Sequence, residues 1–287
     1  MNIQIGIIAG LVCMLSWGTA DFFAVIASRK IGHLKTLFWV YSIAVILGLI
    51  YSLFNPQNLN ISINGLIILI LVGFLQATAL MFFYKGLEIG TVSVVSPIAS
   101  SYSLIVVLLG LLILKEQLNL TQIISISLII VGVPLVSINI SEIKKIGNKI
   151  FKKGTKESFI AMISWGFSYF FLAPVIKENS WFWATIISMI FIILFLFIYG
   201  IVFKINFFKD IQNAIFPIFS DGLCTIVGYL AYSYGVLYSL VSLVTPISTI
   251  FPVVTIILAI IFFKEKLFWN QVFGIACIIG GLVLLSI

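Results

Sequence analysis

The sequence predicts an all-α integral membrane protein, with ten transmembrane helices in two inverted five-helix repeats. Three observations carry this expectation. Of 287 residues, 62% are apolar and only 9% are charged, against roughly 45–50% and ~25% in soluble domains. The apolar residues form long runs, many near the ~20 residues that a helix needs to cross a bilayer. The second half of the chain also repeats the first at a fixed offset. A water-soluble fold of this length could not bury so much apolar surface.

Polar punctuation places the ten spans at 5–27, 34–53, 65–84, 92–114, 121–138, 158–177, 182–203, 213–233, 240–263 and 270–286. Backbone in hydrocarbon must satisfy its own hydrogen bonds, so each run is expected to be helical. A barrel would need short alternating strands, and these runs do not alternate. The first run is read as a retained span rather than a signal peptide. Met1–Gln4 contains no Lys or Arg, and Asp21 lies within the run. The longest polar interval, 139–157, holds six lysines and two glutamates. It is expected to be a soluble linker between a first unit (1–138) and a second (158–287).

The distribution of basic residues orients the chain. Arg29, Lys30, Lys35, Lys85, the six linker lysines, Lys204, Lys209, Lys264 and Lys266 share one face, and only Lys115 and Lys177 lie on the other. The excess of Lys and Arg on cytoplasmic loops therefore places the linker inside and both termini outside a cell membrane. On that basis the +7 net charge is a matter of topology and anionic lipid headgroups rather than nucleic acid. Cys13, Cys224 and Cys277 fall inside apolar runs without CxxC spacing, which points to packing and not to a disulfide framework.

Residues 86–138 align with 235–287 at an offset of 149, with 18 identities in 53 positions. Eight of these are not aliphatic and so are informative: Gly86/Gly235, Ser93/Ser242, Pro97/Pro246, Lys115/Lys264, Glu116/Glu265, Gln122/Gln271, Gly132/Gly281 and Ser137/Ser286. At an offset of 148, Ser16-Trp17-Gly18 matches Ser164-Trp165-Gly166. A unit of five spans is odd, so its second copy enters the membrane from the opposite side. Secondary transporters are often built this way, with the site near mid-membrane between the halves.

With Ser-Trp-Gly opening each half, and with Pro97…Glu116 and Pro246…Glu265 each spaced by 19 residues, the chain resembles the EamA-type branch of the drug/metabolite transporter superfamily. The resemblance covers essentially the whole chain. It implies a carrier of amino acids or other small metabolites, with a cavity lined by the first, third and fourth spans of each repeat. Some relatives place both termini in the cytoplasm, whereas the lysines here place them outside.

The residues themselves offer several candidates. Asp21 and Asp221 lie within spans, where a carboxylate is costly and usually faces a cavity on an ion or proton path. Each could bind a proton or cation, or could be a neutral group hydrogen-bonded within the bundle. The offset puts Val72 opposite Asp221, so such a role would be asymmetric. Trp17, Gln76, Tyr84, Tyr102, Trp165, Tyr169, Tyr229 and Tyr232 lie on spans that the resemblance places around the cavity, although Tyr and Trp also anchor helices at the interface. Gln76 is central and needs a partner. Lys85 ends the third span, where it is expected to snorkel to the headgroups, with pairing to Asp21 or Glu88 or an anionic substrate as the alternative. Ser96-Pro97 and Thr245-Pro246 read either as helix starts, an N-cap followed by Pro at the first position, or as ordinary proline kinks. Lys115-Glu116 and Lys264-Glu265 read as solvated helix ends or as gating pairs. Gly6 and Gly10 form a GxxxG packing motif.

His33 is the single histidine, and the chain has no HExxH, GxSxG or phosphate-binding loop. No metal or cofactor is expected. The preferred reading is a secondary transporter that exports a small-molecule substrate, with protons as the coupling ion. A flippase for a lipid-linked head group and an integral-membrane lipid-modifying enzyme are the alternatives.

Overall fold

A computed structural model describes residues 2–89, 95, 98–137, 154–263 and 268–286. Among them every regular element is helical: α1 (Ile3–Ile31), α2 (His33–Phe54), α3 (Ile63–Ile89), α4 (Tyr102–Leu112), α5 (Leu120–Ser137), α6 (Thr155–Glu178), α7 (Trp181–Val202), α8 (Ile215–Tyr238), α9 (Val241–Ser248), α10 (Phe251–Phe263) and α11 (Trp269–Ser286). A 3-10 turn, Ile211–Ala214, precedes α8. Six helical stretches are long and apolar enough to cross a membrane. Shorter apolar helices at Ile98–Leu112, Leu120–Val136, Val241–Thr255 and Trp269–Leu285 occupy the positions expected for the fourth, fifth, ninth and tenth spans. Exposed apolar side chains such as Leu53, Phe54 and Phe216 cover the outside of the bundle, as contact with lipid tails requires.

Local chemistry sets the helix ends. Asn2 accepts from Ile5 N–H at 3.2 Å. Gly32, at φ 87°, turns α1 into α2 within one residue, in a region open mainly to glycine. The repeated glutamines are capping residues. Asn119 N–H donates to Gln122 Oε1 at 3.0 Å while Gln122 N–H donates to Asn119 Oδ1 at 2.8 Å, a reciprocal capping box. Phe268 N–H donates to Gln271 Oε1 at 2.9 Å, the same bond one repeat later.

The two halves pack by exchange. The first helix of one half lies along the third of the other: α1 against α8, and α3 against α6. The closing helices α5 and α11 pair with each other. Most of the core therefore lies between the halves and not within either.

The ninth run is interrupted, but not where its sequence predicted. Of the two readings of Thr245-Pro246, a helix start and a proline within a helix, the helix start is not found. Both residues lie inside α9, whose residues 241–248 are all buried, and the break falls at Thr249–Ile250. Pro252 reinforces the break, because its ring would collide with the carbonyl of Ser248 in a continuous helix. The first half breaks at the equivalent place. Ser101 N–H donates to Ile98 O at 3.2 Å and Leu104 N–H to Ser101 O at 3.0 Å; one repeat later, Ile250 N–H donates to Ile247 O at 3.2 Å and Val253 N–H to Ile250 O at 2.9 Å. Ser96 and Pro97 lie outside the described residues, as do Lys264-Glu265 and most of the linker.

Candidate functional site

The helix breaks sit beside a cavity of about 90 Å³ between the halves. Helical periodicity determines which side chains reach it. From α1 come Trp17, Ala20, Asp21 and Ala24, spaced three and four residues apart on one face. From α8 come Asp221, Thr225 and Tyr229, at four-residue steps. Leu80, Phe83 and Tyr84 enter from the last turns of α3, and Trp165 and Tyr169 from the middle of α6. Tyr102 and Phe251, the first residues after the two breaks, occupy equivalent positions in the repeats and both line the cavity. The second span also contributes, through Thr36, Leu37, Val40 and Tyr41. The lining of α1 and α3 comes from the middle and C-terminal turns, and that of α2 and most of that of α8 from the N-terminal half. The cavity therefore extends from mid-bundle toward the Lys-rich face.

Asp21 and Asp221, far apart in sequence, thus line one space. Thr225 Oγ1 donates to Asp221 Oδ1 at 3.1 Å, and the residue is 4% exposed. Its second oxygen, and the carboxylate of Asp21, have no hydrogen-bond or ion-pair partner among the described residues. At the offset of 148, the position of Asp21 is held by Tyr169 in the second half, so neither aspartate has a repeated counterpart.

Gln76 does not line the cavity but braces its wall. Tyr229 OH donates to Gln76 Oε1 at 2.6 Å, and the hydroxyls of Tyr41 and Tyr229 lie 3.0 Å apart. With its one proton directed at Gln76, Tyr229 accepts from Tyr41. Gln76 Nε2 and Trp17 Nε1 are both buried without a partner. Aromatic rings fill the remaining wall: Trp17 lies 5.3 Å from Tyr229 and 5.8 Å from Tyr169 between centroids, and Tyr102 lies 5.2 Å from Tyr169. Lys85 is exposed at the end of α3 and takes no part in the lining, in keeping with a snorkelling side chain. Tyr232, expected near a span end, is fully buried and bonds Thr245 Oγ1 at 2.8 Å.

The Ser-Trp-Gly motif is explained by packing across the repeats. Its Trp lines the cavity, while its Gly admits the broken helix of the opposite half. A Cβ on Gly18 would meet Val254 Cβ and lie 2.6 Å from the Phe251 carbonyl oxygen; one on Gly166 would lie 2.7 Å from Ile105 Cβ. Val254 and Ile105 are themselves repeat equivalents. Gly18→Ala is therefore expected to cost ~1–3 kcal/mol through overpacking and to lower the unfolding midpoint in detergent. Gly280→Ala, where a Cβ meets nothing within 4 Å, should leave the midpoint unchanged; equal effects would refute the packing account. Gly6 and Gly10 similarly face Ser239 and Ile247, which is helix packing.

The end of the bundle away from the Lys-rich face is closed. Glu116 was read as one of two polar residues at a solvated helix end, yet its side chain is only 4% exposed. It accepts from Val241 N–H and Ser242 N–H, each at 3.0 Å, and from Ser242 Oγ. One carboxylate of the first half thus caps the N-terminus of α9 in the second, with Lys177 Nζ 3.6 Å away. Its sequence neighbour Lys115 adopts φ 53°, where the chain turns to aim Glu116 inward. Asn2 N–H bonds Tyr238 O at 2.8 Å nearby. An open cleft lined by Asn2, Lys177, Leu237, Tyr238, Ser239 and Leu240 lies at this end.

Tyr41, Thr225 and Phe251, and the positions of the breaks, are not among the residues that the sequence singles out. A usable signal existed for the breaks: hydroxyl residues Ser100 and Thr249 recur at the offset of 149, with Pro252 close behind.

Comparison with known proteins agrees with this arrangement. The sequence profile of the EamA-like transporter family matches residues 4–138 and again 157–287. An uncharacterized protein of Methanocaldococcus jannaschii is 33% identical over 128 residues, covering 45% of this chain and 92% of that protein, so the relative is about the size of one half. A chain of known crystal structure, 13% identical, superposes with a TM-score of 0.76 over 99% of this chain and 98% of its own, a likeness of fold.

Proposed function

The chain belongs to the EamA-like transporter family, and from that premise we propose that it is a secondary carrier exporting a small solute by alternating access between its halves. In this reading the chain has ten spans in two inverted repeats, 1–138 and 158–287, joined by the lysine-rich linker 139–157, and the excess of Lys and Arg on one face supports a cytoplasmic linker in a cell membrane with both termini outside. The cavity is then the substrate chamber in its inward-facing state, and the Glu116 cap closes the outer end. The observation that carries the reading is the pair of intramembrane carboxylates, Asp21 and Asp221, lining one cavity beside two repeat-related helix breaks. A carboxylate kept in a bundle at a cost of roughly 2.5–3.5 kcal/mol marks a path for protons or ions. In this carrier Asp21 and Asp221 exchange protons for solute, which couples export to the proton gradient.

The test is untargeted metabolite profiling of medium and cytosol from cells producing the wild type, Asp21→Asn or Asp221→Asn at matched membrane levels. A compound should accumulate outside with the wild type alone. Accumulation that is equal for all three proteins would remove the aspartates from the mechanism.

A further inference from the structure

Resting on the carrier reading, we infer that the solute bound in this cavity is a small organic cation, an alkylammonium group held by Asp21 and Asp221 between aromatic faces. Among the described residues the lining includes two carboxylates and no Lys, Arg or His. Asp221 is 4% exposed, and only one of its oxygens is engaged, by Thr225. The second oxygen and the Asp21 carboxylate are acceptors awaiting a donor or a positive charge.

The walls have the matching chemistry. Trp17 and Trp165 enter at equivalent positions of the two halves, and Tyr102, Tyr169 and Tyr229 stand among them. Rings carry negative potential on their faces and attract alkylammonium groups, Trp most strongly. Amines and quaternary ammonium ions therefore fit both components of the site, a formal countercharge and a polarizable apolar wall.

Anions fit neither, and zwitterions fit only through their cationic end. A bound carboxylate would need cationic side chains or open helix N-termini. At the nearest candidates for the latter, the starts of α4 and α10, the Leu104 and Val253 N–H groups bond back to Ser101 O and Ile250 O. Pro252 has no N–H to offer. A zwitterionic amino acid would place its ammonium well and leave its carboxylate unpaired beside two aspartates.

The experiment uses the purified full-length protein in lipid nanodiscs, with radiolabelled choline and putrescine as probes. The competitor is 3,3-dimethyl-1-butanol, which replaces the choline nitrogen by carbon and so keeps the shape without the charge. Saturable binding of at least one labelled cation is expected, with the neutral isostere at least tenfold weaker than choline as a competitor. Asp221→Asn should weaken cation binding at least tenfold while leaving the size-exclusion profile unchanged. No saturable binding of either cation, or competition by the neutral isostere equal to that of choline, overturns the inference. Because the isostere comparison is made on the wild-type protein, it holds even if the variant fails to fold. Counterflow in proteoliposomes separates the two readings. Aspartate-dependent cation binding without counterflow retains the cation site and removes the carrier; counterflow of a neutral or anionic solute by a protein that binds neither cation does the reverse.

Discussion

Asp221→Asn should abolish the response of transport to an imposed pH gradient and lower the initial rate by roughly 10- to 100-fold. Asn is close to Asp in shape and still offers an oxygen to Thr225 Oγ1, which donates to Asp221 at 3.1 Å in the wild type. The bundle is thus expected to persist while the charge disappears. A hydrogen bond to a charged group contributes ~1.5–3 kcal/mol, and 1.4 kcal/mol corresponds to about tenfold, which sets the expected range. The sign is fixed by the chemistry of the side chain. A carboxylate can pick up a proton on one side of the membrane and release it on the other, whereas an amide does neither. The measurement is the ratio of initial rates with and without a pH gradient in proteoliposomes. That ratio should fall to one in the variant; a ratio equal to that of the wild type would assign Asp221 to structure. Asp21→Asn should act in the same direction.

Glu116→Ala should open the end of the bundle away from the cavity. The carboxylate satisfies two backbone N–H groups and the Ser242 hydroxyl at the start of α9, and the Ala variant leaves all three without that partner. Groups left unpaired in a buried place cost ~1–3 kcal/mol each. A combined loss of about 3 kcal/mol in the closed state would raise the open population roughly a hundredfold. The reporter is Leu243→Cys, a fully buried position on α9, in a background lacking Cys13, Cys224 and Cys277. Labelling by a membrane-impermeant maleimide from outside should accelerate by one to two orders of magnitude on adding Glu116→Ala. Unchanged labelling would mean that the cap does not hold this end closed.

Both predictions rest on residues that were visible in the sequence to different degrees. Asp221 stood out because a charge within an apolar run violates the pattern around it, and such a violation needs no partner to be seen. Glu116 also stood out, as part of a repeated Lys-Glu pair, but its surroundings did not. A charged pair at the end of an apolar run usually meets water. Here the chain turns at Lys115, with φ 53°, and delivers the carboxylate to a helix start 125 residues away. The helix-start reading of Thr245-Pro246 failed for a related reason, and the alternative, a proline inside a helix, is what the structure has. Pro246 is tolerated within α9, and the break falls after it at Thr249–Ile250, where Pro252 reinforces it; the first half breaks at the equivalent place with Ser103 in the proline's position.

Composition and periodicity alone established a helical membrane protein, the duplication and the face that carries the basic residues. Those properties depend on each residue's preference for lipid or water, which is local and additive along the chain. Two intramembrane aspartates and a repeated Ser-Trp-Gly were equally legible as residue types. Only tertiary packing decided that Asp21 and Asp221 line one cavity, that Gln76 braces its wall through Tyr229, and that Gly18 and Gly166 each admit the opposite half. The physical reason is the exchange between repeats. The first helix of each half packs on the third of the other, so the contacts that make the site join residues as many as 234 positions apart, Trp17 and Phe251 on one cavity wall with ring centroids 6.4 Å apart. No local preference records which distant partner a side chain will meet.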